Sequence, residues 1–191
     1  MNRFFAVGVS YKTADIDLRG CFNLNDSQLH ALFLEAKSLD IKDLLVINTC
    51  NRTELYAWTN NAECLVELLC NHTSGDKVFF DQAGYRLSNE AGIHHLFRVG
   101  TGLESQILGD FEIIGQIKKG FYRSKKMGLA QGPMERLTNA VIQASKQIKT
   151  ETEISSGATS VAFASVQYIL KHVESISEKN ILLFGTGKMG T

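Results

Sequence analysis

The chain has 191 residues, which is enough for one domain of ordinary size or for one domain and part of another. Hydrophobic residues make up 44% of it, as in globular proteins with a substantial core. The 20 basic and 20 acidic residues balance, which argues against a chain-wide attraction to nucleic acid or membrane but leaves room for a local basic patch. No apolar run could span a bilayer, no signal-peptide pattern is present, and the 4 cysteines lack the spacing of a disulfide framework, so we expect a cytoplasmic protein.

The first 88 residues carry strand and helix patterns in the order β-α-β-β-α-β. This order predicts an α+β fold with a ferredoxin-like antiparallel sheet and two helices. The pattern at 43–47 is apolar and β-branched like a buried strand, whereas the pattern at 53–58 alternates like a half-buried strand. The strand candidates are 3–9, 43–47, 53–58 and 83–87.

Both helices predicted within this unit have one apolar side. The first begins at a cap formed by Asn25 or Asp26, and the second spans residues 62–70. The residues predicted to point inward are Leu29, Leu32, Phe33, Ala36 and Leu39 in the first helix, and Leu65, Leu68 and Leu69 in the second.

After residue 88 the pattern is helical, which predicts a helical subdomain followed by a long linking helix over residues 89–99, 102–127, 133–152 and 157–174. The helix predicted from Gly102 begins with a capping-box pair, Thr101 and Glu104. Its core stripe comprises Leu103, Ile107, Phe111, Ile114, Ile117 and Phe121. The opposite side comprises Ser105, Gly109, Glu112 and Gln116. Because Gly and Ser are poor helix formers, that side indicates the close approach of a ligand or of another backbone.

The last residues carry a dinucleotide-binding pattern. A short buried-strand pattern at 179–184 precedes a G-x-G-x-x-G turn, as at the start of a Rossmann domain, although an ordinary strand-to-helix turn fits the same residues. The helix at which a pyrophosphate would bind does not follow, so we expect a fragment of a longer protein with an incomplete cofactor site. The cofactor-binding candidates are Gly185, Thr186, Gly187, Lys188, Met189 and Gly190.

Cys50 is the candidate nucleophile, in the turn between the second and third predicted strands. A lone cysteine in such a place is commonly a small buried hydrophobe. The neighbouring residues favour a reactive thiol instead, because the Arg52 guanidinium could favour the thiolate or hold a substrate carboxylate in a fork. Thr49 and Asn51 supply further polar groups.

The other three cysteines, Cys21, Cys64 and Cys70, lack such neighbours and are predicted to be core residues. Cys64, Cys70 and His72 do not have the spacing of a known zinc site. The sequence therefore predicts no metal centre.

A basic cluster lies towards the end of the helix predicted from Gly102. Its charges could contact the phosphates of a nucleic acid. Cations near a helix C-terminus also interact with the helix dipole, and the sequence favours neither account. The cluster consists of Lys118, Lys119, Arg123, Lys125 and Lys126.

Four motifs, in this order, make the chain similar to the N-terminal catalytic part of the glutamyl-tRNA reductase family. TCNRTELY resembles the active-site segment of the family, and HLFRVGTGLESQILGDFEIIGQIK its second signature. KTETEIS resembles the stretch that enters the spinal helix, and ILLFGTGKMG the start of the NADPH domain. The resemblance implies a catalytic glutamyl-tRNA-binding domain over 1–152, and a linking helix with the truncated first strand of an NADPH-binding Rossmann domain over 153–191.

In that family a cysteine thiolate attacks the ester of glutamyl-tRNA, and NADPH reduces the thioester to glutamate 1-semialdehyde for tetrapyrrole, and hence heme, biosynthesis. The resemblance implies that Cys50 is this nucleophile and that His95 supports activity, while His94 is a surface or structural residue. It also implies glutamate-1-semialdehyde aminomutase as a partner and a homodimer formed through C-terminal helices. The residues implied to recognise glutamate are Thr49, Asn51, Arg52, Ser105, Asp110, Phe111, Glu112 and Gln116.

Two stretches differ from the usual family pattern. YKTAD (11–15) replaces His-Lys-Thr-Ala-Pro, and DFE (110–112) replaces Glu-Pro-Gln within the substrate segment. Asp110 keeps a charge on a shorter side chain, while Glu112 adds a carboxylate that would repel the glutamate side chain unless it faces away. Because the cysteine, arginine, histidine and serine positions match, we still expect an active enzyme.

Two other functions remain open at this point. A non-catalytic tRNA-binding or regulatory relative would keep the fold, but the pairing of Cys50 with Arg52 argues against it. An unrelated NAD(P) enzyme whose Rossmann domain begins at Lys179 would leave the first 150 residues unexplained. The favoured interpretation is a chain that forms the glutamyl thioester and hydrolyses it without reduction.

Overall fold

The structure, a computed structural model, describes residues 3–152, 154 and 161–182. In chain order its strands and helices are β1 (Arg3–Ser10), α1 (Ile16–Cys21), α2 (Asp26–Ser38), β2 (Leu44–Asn48), β3 (Arg52–Thr59), α3 (Glu63–Asn71), α4 (Lys77–Ala83), β4 (Tyr85–Ser88), α5 (Glu90–Gly100), α6 (Glu112–Lys126), α7 (Gly132–Glu151) and α8 (Val161–His172), with a 3-10 turn at Ile176–Glu178. None of the helices in this described part of the chain has the length and apolar character needed to cross a bilayer.

The four strands form one antiparallel sheet in the order β2-β3-β1-β4. This order is that of a ferredoxin-like fold, so the predicted fold class is confirmed. β1 and β3 occupy the centre of the sheet, and their register places Ser10 opposite Arg52 and Gly8 opposite Glu54. The turn that carries Cys50 therefore lies at the end of the sheet where β2 passes into β3.

Helices cover both faces of the sheet. One hydrophobic cluster joins the sheet to α2, α3 and α4, and a second joins its other face to α5, α6 and α7. The prediction that residues 53–58 form a half-buried strand is wrong, because with both faces covered Thr53, Glu54, Leu55, Tyr56 and Ala57 are all buried.

The capping and apolar patterns of the two predicted helices are largely confirmed. Asn25 caps α2 through a capping box with Gln28, and four of its five predicted inward residues are buried. Leu39 is 47% exposed instead, because α2 ends at Ser38. The inward residues of α3 are buried as predicted. The sequence did not predict α1 and α4, whose six and seven residues are too short to show a helical period.

The helix predicted from Gly102 is wrong over its first ten residues, since α6 begins at Glu112 and residues 101–111 form a compact loop. Gly102 and Gly109 have φ values of +76° and +80°, which a right-handed helix does not allow. Thr101 belongs to the end of α5, where its hydroxyl donates to the Phe97 carbonyl at 2.8 Å, and not to a capping box. Ser105 and Gly109 therefore do not share a helix face with Glu112 and Gln116.

The bounds of α5 and α7 agree with the predicted bounds to within one residue at each end. The helix predicted at 157–174 is present as α8 from Val161, and 157–160 lie outside the described residues. Of the strand predicted at 179–184, residues 179–182 are not in a strand, and Ile181 and Leu182 are 69% and 91% exposed. Residues 183–190, with the glycine-rich turn, lie outside the described part.

Gly120 allows α6 to lie against the free edge of the sheet. A Cβ at Gly120 would collide with the carbonyl oxygen of Val46 in the edge strand β2. We expect Gly120→Ala to lower the free energy of unfolding by about 1–3 kcal/mol, because a backbone atom cannot move aside as a flexible side chain can. Gly115 is a matched control on the same helix, since a Cβ there meets no atom within 4 Å.

Urea unfolding of both variants measures the effect. Gly115→Ala should be neutral or stabilising, because alanine is the better helix former. Equal stability of Gly120→Ala and Gly115→Ala would show that α6 does not depend on this contact with the sheet edge.

Candidate active site

Cys50 is exposed on the tight turn between β2 and β3. The Thr49 hydroxyl shapes this turn by accepting the backbone N–H groups of Asn51 and Arg52, both at 3.1 Å. The backbone N–H of Tyr11 donates to the Asn51 carbonyl at 2.9 Å and so attaches the turn to the chain after β1. The interpretation of Cys50 as a buried hydrophobe is therefore excluded.

Arg19 supports the same turn from α1. Its Nε donates to the Cys50 carbonyl oxygen at 3.2 Å, and its Nη1 donates to the Ala14 carbonyl at 2.8 Å. One guanidinium thus joins the Cys50 turn to the residues just before α1. Sequence reasoning did not single out Arg19.

Arg52 is buried, with 3% of its side chain exposed. Its Nη1 donates to Glu54 Oε1 at 2.8 Å, and its Nη2 donates to the Glu104 carbonyl oxygen. Burial alone would lower the pKa of Arg52, but the charge of Glu54 opposes this and the pKa is raised. The guanidinium is therefore held, fully charged, at the start of β3, the strand that follows the turn with Cys50.

Glu54 is a fully buried carboxylate with four side-chain partners. Besides Arg52, the Tyr56 hydroxyl donates to Oε2 at 2.7 Å, the Tyr85 hydroxyl donates to Oε1, and His95 Nε2 lies 3.0 Å from Oε1. Burial would raise the pKa of Glu54, but the attraction of Arg52 and the contact with His95 outweigh it and lower the pKa to about 2. Glu54 is therefore ionised at neutral pH.

Gly8 provides the space for this carboxylate. It lies opposite Glu54 in the sheet, and a Cβ there would lie 2.8 Å from Glu54 Cγ and 2.5 Å from the Thr53 carbonyl oxygen. Any side chain at position 8 would therefore press on Glu54 and on the adjoining strand.

His95 approaches the site from α5 and is partly buried between two tyrosine rings. Its ring centroid is 6.3 Å from that of Tyr56 and 5.2 Å from that of Tyr85. Together with the contact to Glu54, these rings fix the imidazole next to the Arg52 pair. His94 is exposed, as expected.

The 101–111 loop closes the site from the opposite side. The Glu104 carboxylate binds Lys12 and Arg98, the latter at 2.7 Å, and its carbonyl accepts from Arg52. Burial would raise the pKa of Glu104, but these two cations lower it. The Tyr11 hydroxyl donates to the Ser105 carbonyl at 3.0 Å. The loop is therefore held both by residues that follow β1 and by Arg52 at the start of β3.

The predicted glutamate-binding residues fall into two groups. Thr49, Asn51, Arg52 and Ser105 surround the turn and loop described above, with Ser105 Oγ 3.5 Å from the Asp110 carbonyl. Asp110, Phe111, Glu112 and Gln116 lead from the loop into α6, where Asp110 Oδ1 accepts the Glu112 N–H at 2.9 Å. Glu112 and Gln116 are exposed. Whether these residues contact glutamate stays a prediction.

The remaining cysteines pack partly buried against the core, in agreement with their expected structural role. His72 binds Glu35, with 2.6 Å between Nε2 and Oε2. In the described part of the chain no group of three or more His, Cys, Asp or Glu residues could hold a metal ion.

The family model described as "Glutamyl-tRNAGlu reductase, N-terminal domain" matches residues 7–152, which is well over half of the chain. The chain belongs to this family. The glutamyl-tRNA reductase of Christiangramia forsetii is 57% identical over 187 residues, which are 98% of this chain and 45% of that protein. The glutamyl-tRNA reductase of Flavobacterium psychrophilum is 55% identical over 99% of this chain and 46% of its own length.

A solved structure supports the same assignment. The structure of glutamyl-tRNA reductase from Methanopyrus kandleri matches 99% of this chain and 45% of its own chain with a TM-score of 0.71 at 27% identity. The chain therefore spans a little under half the length of the glutamyl-tRNA reductases it matches, and the resemblance inferred from its motifs is confirmed.

Sequence reasoning missed several residues of this candidate site, among them Arg19, Glu54 and Tyr85. Glu54 carried a readable signal, because a carboxylate two residues from Arg52 in a predicted strand needs a partner if it is buried. Arg19 and Tyr85 had no comparable signal, since they reach the site from other elements.

Proposed function

We propose that the protein containing this chain is an NADPH-dependent glutamyl-tRNA reductase and that this chain carries its thioester-forming step. The observation that carries the proposal is the exposed Cys50 on a fixed turn that leads into β3, where the buried Arg52 and Glu54 form a network with His95. A nucleophile exposed beside a rigid, charged support is the arrangement that covalent catalysis requires.

In the proposed step the Cys50 thiolate attacks the carbonyl carbon of the glutamyl ester. The bond between that carbon and the ribose oxygen of the tRNA breaks, the ribose oxygen takes up a proton, and a glutamyl thioester remains on Cys50. NADPH, when bound, would supply the hydride that reduces the thioester to glutamate 1-semialdehyde. Its candidate residues, Gly185 to Gly190, lie outside the described part of the chain, so the cofactor remains a prediction from sequence.

The supporting residues have distinct proposed roles. Thr49 and Arg19 hold the turn, and His95 supports activity from α5. Ser105 would contact the substrate glutamate, and Arg52, which is 3% exposed, would reach it by exchanging the Glu104 carbonyl for the substrate carboxylate. A cytoplasmic location, a homodimer and an aminomutase partner that receives the semialdehyde complete the proposal for the whole protein.

Radiolabelled glutamyl-tRNA tests the proposal directly. We expect the chain to acquire a label that is stable to acid and labile to hydroxylamine, followed by slow release of free glutamate as water attacks the thioester. We expect no semialdehyde from this chain with NADPH, and semialdehyde from the whole protein. A chain that binds tRNA but never acquires label would be a non-catalytic, regulatory relative.

Arg52→Lys tests recognition of the substrate carboxylate. A lysine ammonium cannot form the two-point fork of a guanidinium, so we expect glutamyl transfer to slow by at least about tenfold and discrimination against glutaminyl-tRNA to fall. Single-turnover labelling with both tRNAs measures the two effects. Slower transfer with unchanged discrimination would identify Arg52 as a support of the Cys50 turn rather than a ligand of the substrate.

A further inference from the structure

The outward side of α6 concentrates positive charge in a chain whose formal net charge is zero. The helix contains one acidic residue, at its first position, and five basic residues. At 100° per residue, Lys118, Tyr122 and Lys126 follow one i, i+4, i+8 row, and Lys119 lies on the same side of the helix, so all four fall within about 100° of one another. All four side chains are exposed, Tyr122 to 65%. We call these four residues the basic-aromatic strip.

Ion pairing accounts for none of the three lysines of this strip, and the helix dipole accounts for Lys126 alone. Arg123 binds Asp26 and Lys125 binds Glu135, both at 2.8 Å. For Lys118, Lys119 and Lys126, by contrast, the described residues provide no ion-pair partner. The helix dipole acts only within the last turn, and Lys118 and Lys119 lie in the middle of α6. The strip therefore retains unneutralised charge available to an anionic partner.

A groove beside the strip leads towards the active site. Two adjoining cavities, of about 260 and 190 Å³, lie between α2 and α6 and share Leu29, Phe33 and Arg123. Lys126 lines the outer cavity, while Lys119, Gln116 and Asn48 line the inner one. Asn48 ends β2, immediately before the turn that carries Cys50. The groove and the strip thus run from the nucleophile turn outward along α6.

We propose that the basic-aromatic strip binds the RNA strand that carries the glutamyl ester, with phosphates on Lys118, Lys119 and Lys126 and a base stacked on Tyr122. This inference rests on the proposed function, because an ester at Cys50 requires its RNA to leave the site along some surface. An exposed aromatic ring among cations is the combination that binds single-stranded nucleic acid.

The surfaces on the other side of the turn are less suited to RNA. α1 presents the exposed carboxylates Asp15 and Asp17, and its Arg19 donates to two carbonyl oxygens. In the 101–111 loop, Glu104 pairs with both Lys12 and Arg98 and so offsets part of their charge. Along α6 the charge is complementary to a phosphate chain, so α6 is the favoured path.

The test is the affinity of the chain for glutamate-accepting tRNA, with and without its single-stranded 3′ end, by fluorescence anisotropy across a salt series. We expect the double variant Lys118→Glu, Lys119→Glu to bind at least about tenfold more weakly, with a salt slope reduced by roughly 0.7–0.9 for each phosphate that the variant no longer neutralises. We expect Tyr122→Ala to weaken binding of intact tRNA about fivefold or more and to leave binding of the trimmed tRNA unchanged.

The matched control is Lys37→Glu, Lys146→Glu, which makes the same change in net charge at exposed lysines on α2 and α7. We expect it to bind tRNA within about twofold of the parent chain. An equal loss in this control, unchanged binding by the strip variants, or binding to anionic vesicles in place of RNA would overturn the inference.

Thioester labelling separates this inference from the proposed function. If the strip variants lose RNA affinity while the parent chain never acquires label, the RNA surface stands and the proposed chemistry fails. If the parent chain acquires label and the strip variants bind and react as it does, the chemistry stands and the RNA surface is elsewhere.

Discussion

Cys50→Ser is expected to lower covalent glutamyl transfer to this chain by at least about three orders of magnitude, because it removes the proposed nucleophile itself. A serine hydroxyl needs an adjacent base to attack an ester, and the groups that hold this turn are hydrogen-bonded to backbone: the Thr49 hydroxyl and the Arg19 guanidinium. Hydroxylamine-labile label per chain, measured after a single turnover, gives the result.

The other cysteines supply the control for this experiment. Cys21→Ala, Cys64→Ala and Cys70→Ala should each retain the label, because these side chains are partly buried against the core. Full labelling of Cys50→Ser, or loss of label only in one of the three alanine variants, would place the nucleophile elsewhere.

Glu54→Gln is expected to lower the free energy of unfolding by about 3–5 kcal/mol, because it leaves the buried charge of Arg52 without its counter-ion. The amide also presents N–H groups to partners that donate to the carboxylate, namely Tyr56 and Tyr85. Since Arg52 and His95 would lose their common anchor, glutamyl transfer should fall together with stability. Urea unfolding and thioester labelling measure the two effects.

Glu63→Gln is the matched control, since Glu63 also binds an arginine, with 2.6 Å between Arg86 Nε and Oε1, but is 42% exposed. Its destabilisation should be several times smaller, because solvent screens surface ion pairs. Equal losses for the two variants would show that burial of the Arg52–Glu54 pair has no special energetic weight.

The pH dependence of stability provides a second readout for Glu54. Its pKa is lowered from an ordinary 4.5 to about 2 in the folded protein, so its contribution to stability is complete above pH 4.5 and is lost as the pH falls towards 2. Glu54→Gln lacks this group, so its stability should fall less steeply over that interval. Parallel curves for the parent chain and the variant would contradict the ionised, buried state of Glu54.

The sequence was informative where structure depends on local spacing. The stripe of α2 and its Asn25 cap were readable because the residues that form them lie within one or two turns of each other. The 101–111 loop was misread because Thr101, Glu104 and the apolar spacing imitate a helix start, while the positive φ values of Gly102 and Gly109 depend on the surrounding structure. Gly109 approaches the Ile154 carbonyl, and a Cβ there would lie 2.6 Å from it. The close approach inferred from its glycine is therefore present, but in a loop.

The candidate site shows the same limit. Cys50, Arg52 and Thr49 are neighbours in sequence, and their turn was predicted from the strand patterns on either side. The Glu54 network draws His95 from α5 and Tyr85 from β4, and no local pattern could indicate that these side chains meet a strand residue. A single sequence therefore could not predict the hydrogen bonds that residues distant in sequence make around this buried charge.

The distribution of thiols also makes the chain suited to site-selective labelling. Cys50 is the exposed thiol, whereas Cys21, Cys64 and Cys70 are partly covered, and burial raises the pKa of Cys70. A maleimide dye used below stoichiometry should therefore mark the Cys50 turn without any engineered cysteine. Its fluorescence would report in real time when an RNA 3′ end or a neighbouring domain reaches that turn. Because the dye occupies the Cys50 thiol, binding would be observed without any reaction at that thiol.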